Sequence, residues 1–201
     1  SGKIISTNKY LLSTKELNSS SRIKELLNSD IDSFKIEGRM KSPEYVGFIT
    51  RYYRSLIDKN ISSEELKEAT NNLKTLFNRE FTEGNLFSSN PNQLMNSKSP
   101  NHIGLEIGKV IEVSPTKIKI KLTKPLNQHD GIRFLNSNKG FIVNYLYDSK
   151  DNLINSATDI CYVDNKVGLK EKDTVCKTQD YKLNQELSVL PNRKIPVTFK
   201  V

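Results

Sequence analysis

The spacing of apolar residues changes once along this chain, from helical to alternating, and that change restricts the folds it can adopt. Tyr45, Val46, Ile49, Tyr52, Tyr53, Leu56 and Ile57 share one broad face of a helix, while Arg51, Arg54 and Asp58 fall largely elsewhere. Ser42 before Pro43 supplies a capping hydroxyl and an N1 proline, and Glu44 complements the positive end of the helix dipole. Leu66, Ala69, Leu73 and Leu76 form a second stripe behind Ser62 and Glu65, which read as a capping box. From Lys117 to Leu122 the period is two, with Ile118, Ile120 and Leu122 on one face. Residues 104–113, 131–135, 141–147, 160–163 and 174–177 are further strand candidates. Turns separate them at Ser114-Pro115, His129-Asp130-Gly131 and Ser137-Asn138-Lys139-Gly140. Helices followed by short strands predict an α+β chain ending in a small antiparallel β-barrel or sandwich.

Ahead of the helices, Tyr10-Leu11-Leu12 is a short apolar run closed by Ser13-Thr14. Leu17, Ile23, Leu26 and Leu27 lie on helical spacing, broken at Ser19-Ser20-Ser21, and Ser33-Phe34-Lys35-Ile36 reads as a strand stopped by Gly38. Strand, helix and strand in that order predict a βαβ unit with parallel strands. Residues 88–101 are polar and broken by proline, as in a linker. The chain therefore divides into residues 1–87, a linker at 88–101, a β-barrel at 102–180, and a tail at 181–201 that Pro191 and Pro196 keep extended.

The formal net charge of +8 is shared by both halves of the chain, so it permits contact with nucleic acid without arguing strongly for it. Two cysteines exclude a disulfide scaffold, a zinc-finger array or a four-cysteine iron–sulfur site within this chain. Cys161 and Cys176 read as small buried hydrophobes. His102 and His129 lack the neighbours of a catalytic triad, and neither a P-loop nor a dinucleotide fingerprint is present. The apolar runs are too short for a transmembrane helix, and residues 1–9 lack the apolar core of a leader, which predicts a cytoplasmic protein with reduced thiols and no membrane partner.

The densest polar cluster is Lys35-Ile36-Glu37-Gly38-Arg39-Met40-Lys41-Ser42. Past the carboxyl end of a parallel strand, Glu37 would accept a proton or orient a hydroxyl, and Arg39 and Lys41 would hold an anion near the next helix N-terminus. Glu37 and Arg39 are the candidate catalytic groups. Lys35, Glu37, Arg39 and Lys41 are the candidate substrate-binding set, and the same residues also fit a solvated loop. Lys117, Lys119 and Lys121 share a strand face and are candidate RNA contacts, with a solvated face as the plainer reading.

The run Lys35-Ile36-Glu37-Gly38-Arg39-Met40-Lys41-Ser42-Pro43-Glu44-Tyr45 resembles the signature of the collagenase-like peptidase family U32. Tyr10-Leu11-Leu12-Ser13-Thr14-Lys15-Glu16-Leu17, the run from Phe77 to Gly84 and the run from Asn101 to Val110 resemble flanking blocks in the same order. By this resemblance residues 10–13 and 33–36 would be the last two strands of a (β/α) barrel. Residues 103–180 would be a small β-barrel similar to those of elongation factors.

The resemblance implies a longer protein whose missing N-terminal part is this chain's partner. In relatives, cysteines in that part bind an iron–sulfur cluster; this chain has Asn18 where a further cysteine can lie, so no cofactor is expected within it. Two activities are implied for the whole protein: a peptidase acting on protein, or an iron–sulfur-dependent hydroxylase of an RNA base. The chain alone would be an inactive substrate-binding or scaffold part.

Overall fold

A computed structural model describes residues 10–58, 61–87, 94–97, 99–189, 196–198 and 200. The first half holds β1 (Glu16–Leu17), α1 (Ile23–Leu27), α2 (Pro43–Asp58), α3 (Ser63–Leu76) and β2 (Phe81–Thr82). The capping signals act as read. Ser42 Oγ accepts from Tyr45 N at 3.3 Å. Ser62 Oγ accepts from Glu65 N at 3.2 Å while Glu65 accepts from Ser62 N at 2.7 Å, a complete capping box. The apolar stripes then meet: Phe48, Ile49 and Tyr52 of α2 pack with Leu73 of α3.

The second half holds β3 (Leu105–Val113), β4 (Lys117–Leu122), β5 (Leu126–Asn127), β6 (Gly131–Phe134), β7 (Lys139–Ile142), β8 (Leu146–Tyr147), β9 (Ser156–Ala157), β10 (Ile160–Asp164) and β11 (Thr174–Gln179). Seven of these strands form one sheet in the order β7-β6-β11-β3-β4-β10-β8, antiparallel throughout. The register of β3 shifts on both sides, against β4 between Val110 and Glu112 and against β11 between Val175 and Cys176. Such bulges bend a strand and raise its twist, and here the sheet curls into a half-barrel. Its concave face buries Ile107, Val110, Ile118, Ile120, Phe134, Leu146, Val163 and Val175. The fold is α+β, a helical layer followed by a curled antiparallel sheet.

Three expectations are corrected. Residues 10–13 and 33–36 are not paired strands: 10–12 begin in a turn, and 33–36 have no sheet partner among the described residues. A strand is stable only when neighbours take up its backbone groups, so local propensity at Phe34 and Ile36 is not sufficient. The parallel pairing falls instead between β1 and β2, with Glu16 opposite Phe81 and Leu17 opposite Thr82. The tail at 181–201 is not extended at its start: Asp180 accepts from Leu183 N at 3.0 Å and caps α4 (Tyr181–Ser188), whose Leu183 joins the helical core. The single strand read at 141–147 is divided into β7 and β8 by residues 143–145. Of the expected linker, 88–93 and 98 lie outside the described residues. Its far end is tied down, with Lys15 N donating to Leu94 O and Asn96 N to Ser13 O, both at 2.8 Å.

Candidate functional site

The signature segment divides when it folds. Lys35 and Glu37 pair at 2.9 Å, both well exposed, and that bond and the Glu37 charge raise the Lys35 pKa. Arg39 is exposed and makes no ion pair among the described residues. Lys41 N closes a turn onto Gly38 O at 3.0 Å, and the Lys41 side chain then runs inward. Its ammonium lies 3.5 Å from Glu16 and 2.9 Å from the centroid of the Phe77 ring. Glu16 also accepts from Arg79 at 2.7 Å and 2.5 Å. Two cations thus share one carboxylate in a half-buried setting. Burial lowers the Lys41 pKa, with Arg79 acting in the same direction and Glu16 against it. Tyr45 packs edge-on to Phe77, and burial, then the Glu16 charge, push its hydroxyl up to about 12.

Phe77 has a second ring neighbour, His102, which stacks on it at 5.5 Å with an interplanar angle of 11°. His102 Nδ1 accepts from Asn78 N at 2.9 Å, and Nε2 faces the carbonyls of Thr75 at 3.1 Å and Thr178 at 3.2 Å. These bonds require a neutral ring that donates from Nε2. Burial pushes its pKa below the ordinary value, against the pull of the backbone bonds. His102 therefore joins the end of α3 to the end of β11, and its chemistry is used up in that joint. Glu16 and Phe77 enter the sequence reading only as members of the runs that resemble family blocks, and neither they nor Arg79 is named there as a site residue. Glu16 and Arg79 meet across 63 residues, with no local signal of their contact.

Lys117, Lys119 and Lys121 do share one face of β4, on the convex side of the sheet. Each has an acidic neighbour: Lys117 has Asp164 at 3.1 Å and Asp151 at 3.7 Å, Lys119 has Glu112 at 3.7 Å, and Lys121 has Asp159. Tyrosines lie among them. Lys117 Nζ sits 2.9 Å from the Tyr147 ring centroid and Lys119 Nζ 5.5 Å from that of Tyr162. A groove of about 550 Å³ runs beside Asn101, His102, Arg133 and Thr178, but its Arg133 is already held by His102 O and Asn138.

Cys161 and Cys176 are buried, and burial pushes the thiols up to about 12 and about 11. A nucleophilic cysteine has to be an accessible thiolate, so neither buried thiol has the character of a nucleophile. β3 and β4 lie between the strands that carry them. Among the described residues no group of three or more His, Cys, Asp or Glu side chains could hold a metal, and no helix is long and apolar enough to cross a membrane.

Residues 2–96 match the model of peptidase family U32. A 23S rRNA 5-hydroxycytidine synthase of Escherichia coli strain K12 is 31% identical over 143 residues, covering 67% of this chain and 22% of that protein. A collagenase of Porphyromonas gingivalis is 33% identical over 81 residues, 38% of this chain and 22% of that protein. This chain thus spans about a fifth of the length of these relatives. The solved C-terminal domain of a Geobacillus thermoleovorans U32 peptidase covers 36% of this chain and 90% of its own at 16% identity. The TM-score of that likeness is 0.33. The signature loop, the α2 helix that it leads into and the charge pair behind it all lie inside the matched region, and the chain belongs to peptidase family U32.

Proposed function

We propose that this chain is the binding and positioning part of a U32-family enzyme that modifies an RNA base, and that it performs no chemistry alone. The observation that carries this reading is the extent of the likeness to the rRNA hydroxycytidine synthase. A stretch covering 67% of this chain has to include the start of the sheet domain, whereas the collagenase likeness covers 38%. The state of the side chains supports the second half: both thiols are buried with raised pKa values, and His102 is committed to backbone.

Lys35, Glu37 and Arg39 sit in this reading on an exposed loop beside unpartnered apolar groups, where they would face substrate together with the remaining polypeptide. Lys41 positions that loop through Glu16 and Arg79. The partner is the rest of the same protein, in which the iron–sulfur cluster would reside. Deleting the full-length gene and weighing the nucleosides of ribosomal and transfer RNA tests the reading. One hydroxylated base should disappear and return with the intact gene, while Arg39→Ala should return little of it. Hydrolysis of a collagen peptide by this chain alone, abolished by Glu37→Gln, would instead establish a peptidase.

A further inference from the structure

One row of side chains crosses four strands on the convex face of the sheet. The register places Tyr147 of β8 opposite Tyr162 of β10, Tyr162 opposite Lys119 of β4, and Lys119 opposite Glu112 of β3. On either side of that row lie Lys117, opposite Asp164, and Lys121, opposite Ile160. Two tyrosines that are neighbours across the sheet are thus framed by three ammonium groups, and Tyr145, two residues before Tyr147, is half exposed. The concave face beneath is filled by Leu146, Cys161, Val163, Ile118 and Ile120, so this side is not needed for the core.

We propose that this face is a stacking platform for single-stranded RNA, with bases on Tyr147 and Tyr162 and phosphates on Lys117, Lys119 and Lys121. The proposal rests on the RNA-directed reading above and gives it a site. Flat rings on a sheet, with lysines at alternate positions, match a strand whose bases are unpaired and whose charge repeats along its length. The acids do not block this. Glu112, Asp151 and Asp159 are largely exposed, and ion pairs of that kind contribute little, so phosphate can replace them; Asp164 is more covered and holds Lys117 at 3.1 Å, which makes Lys119 and Lys121 the freer phosphate contacts. Lys117 and Lys119 already rest on the two rings, where moving to a phosphate would uncover the aromatic faces.

Fluorescence anisotropy with a labelled single-stranded RNA of about twelve nucleotides tests the assignment. Tyr147→Ala and Tyr162→Ala should each weaken binding by roughly tenfold, while Tyr147→Phe and Tyr162→Phe keep it. Neither alanine variant should change the slope of log affinity against log salt, whereas Lys119→Gln and Lys121→Gln should each flatten it by about one. Circular dichroism identifies any variant that fails to fold, and the phenylalanine pair still reads the site in that event. Binding that ignores both alanine substitutions would sink the platform and leave the RNA reading standing. Equal affinity for a duplex, or displacement by an acidic peptide as readily as by RNA, would sink the platform too. No RNA binding at all would remove both.

Discussion

At the scale of single residues, Tyr52 and Gly104 show opposite kinds of constraint. Tyr52 is 4% exposed in the helical core, stacked on Phe48, and its hydroxyl meets no hydrogen-bond partner among the described residues. A buried hydroxyl without a partner costs desolvation and returns nothing, so Tyr52→Phe should be neutral or stabilise by about 1 kcal/mol. Urea unfolding of the two proteins measures this, and a clear loss would mean that the hydroxyl has a function in the fold. Gly104 sits at φ +78, where the chain leaves the His102 joint and enters β3. A Cβ there would run into the carbonyl of Lys177, so strain and clash act together. Gly104→Ala should cost about 1–3 kcal/mol in the same experiment.

At the scale of elements, stability depends on how helices are fastened to the sheet. One fastening is Lys177, which is buried and pairs with Asp130 at 2.7 Å and Asp180 at 3.0 Å. Asp130 also accepts from Tyr181 N at 2.9 Å, and Asp180 caps α4, so three charges tie that helix to β11. Lys177→Met would leave two carboxylates without their cation, at a cost of about 3–5 kcal/mol, read as a lower melting temperature and early exchange in α4. The other fastening is His102. Its folded pKa lies below the ordinary 6.5, so its contribution is fully present above that value and is lost as pH falls through and below it. Protonation would set a new N–H at Nδ1 against the N–H of Asn78. The denaturation midpoint should drop between about pH 7.5 and pH 5.5, and His102→Phe should be less stable overall with a flatter profile. These fastenings explain what sequence could show. The α2 and α3 caps and the alternation of β4 are local signals, and they were legible. The strand at 33–36 depends on a neighbour, α4 on a cap at Asp180 that the later prolines overshadowed, and the Tyr147–Tyr162 row on cross-strand register. None of these is written in a short window of residues.

At the scale of the whole molecule, apolar surface is distributed unevenly. Leu12 and Met40 are 91% and 90% exposed, and Leu11, Leu17, Leu27, Ile31, Phe34 and Ile36 are also exposed within the same short stretch of sequence. Exposed apolar groups in the sheet domain are more scattered, and its core side chains reach 0%. Apolar side chains exposed this densely rarely stay open to water in a stable monomer, and an unpaired apolar segment such as residues 33–36 invites pairing. The β1–β2 pair beside it has two residues in each strand, too few to hold this region by itself. Hydrogen exchange of the isolated chain should therefore show residues 10–42 exchanging well before β3, β4, β10 and β11. If the chain acts within a longer protein, as proposed, Phe34 and Ile36 should gain the protection of sheet residues there, while the sheet domain changes little. The charge pairs of Lys41 and Arg79 with Glu16 would then lie beneath that contact, so Glu16→Gln should speed exchange at 33–41 in both forms. Equal protection from Tyr10 to Gln179 in the isolated monomer would show that this face needs no cover, and the apolar groups would then have to serve substrate directly.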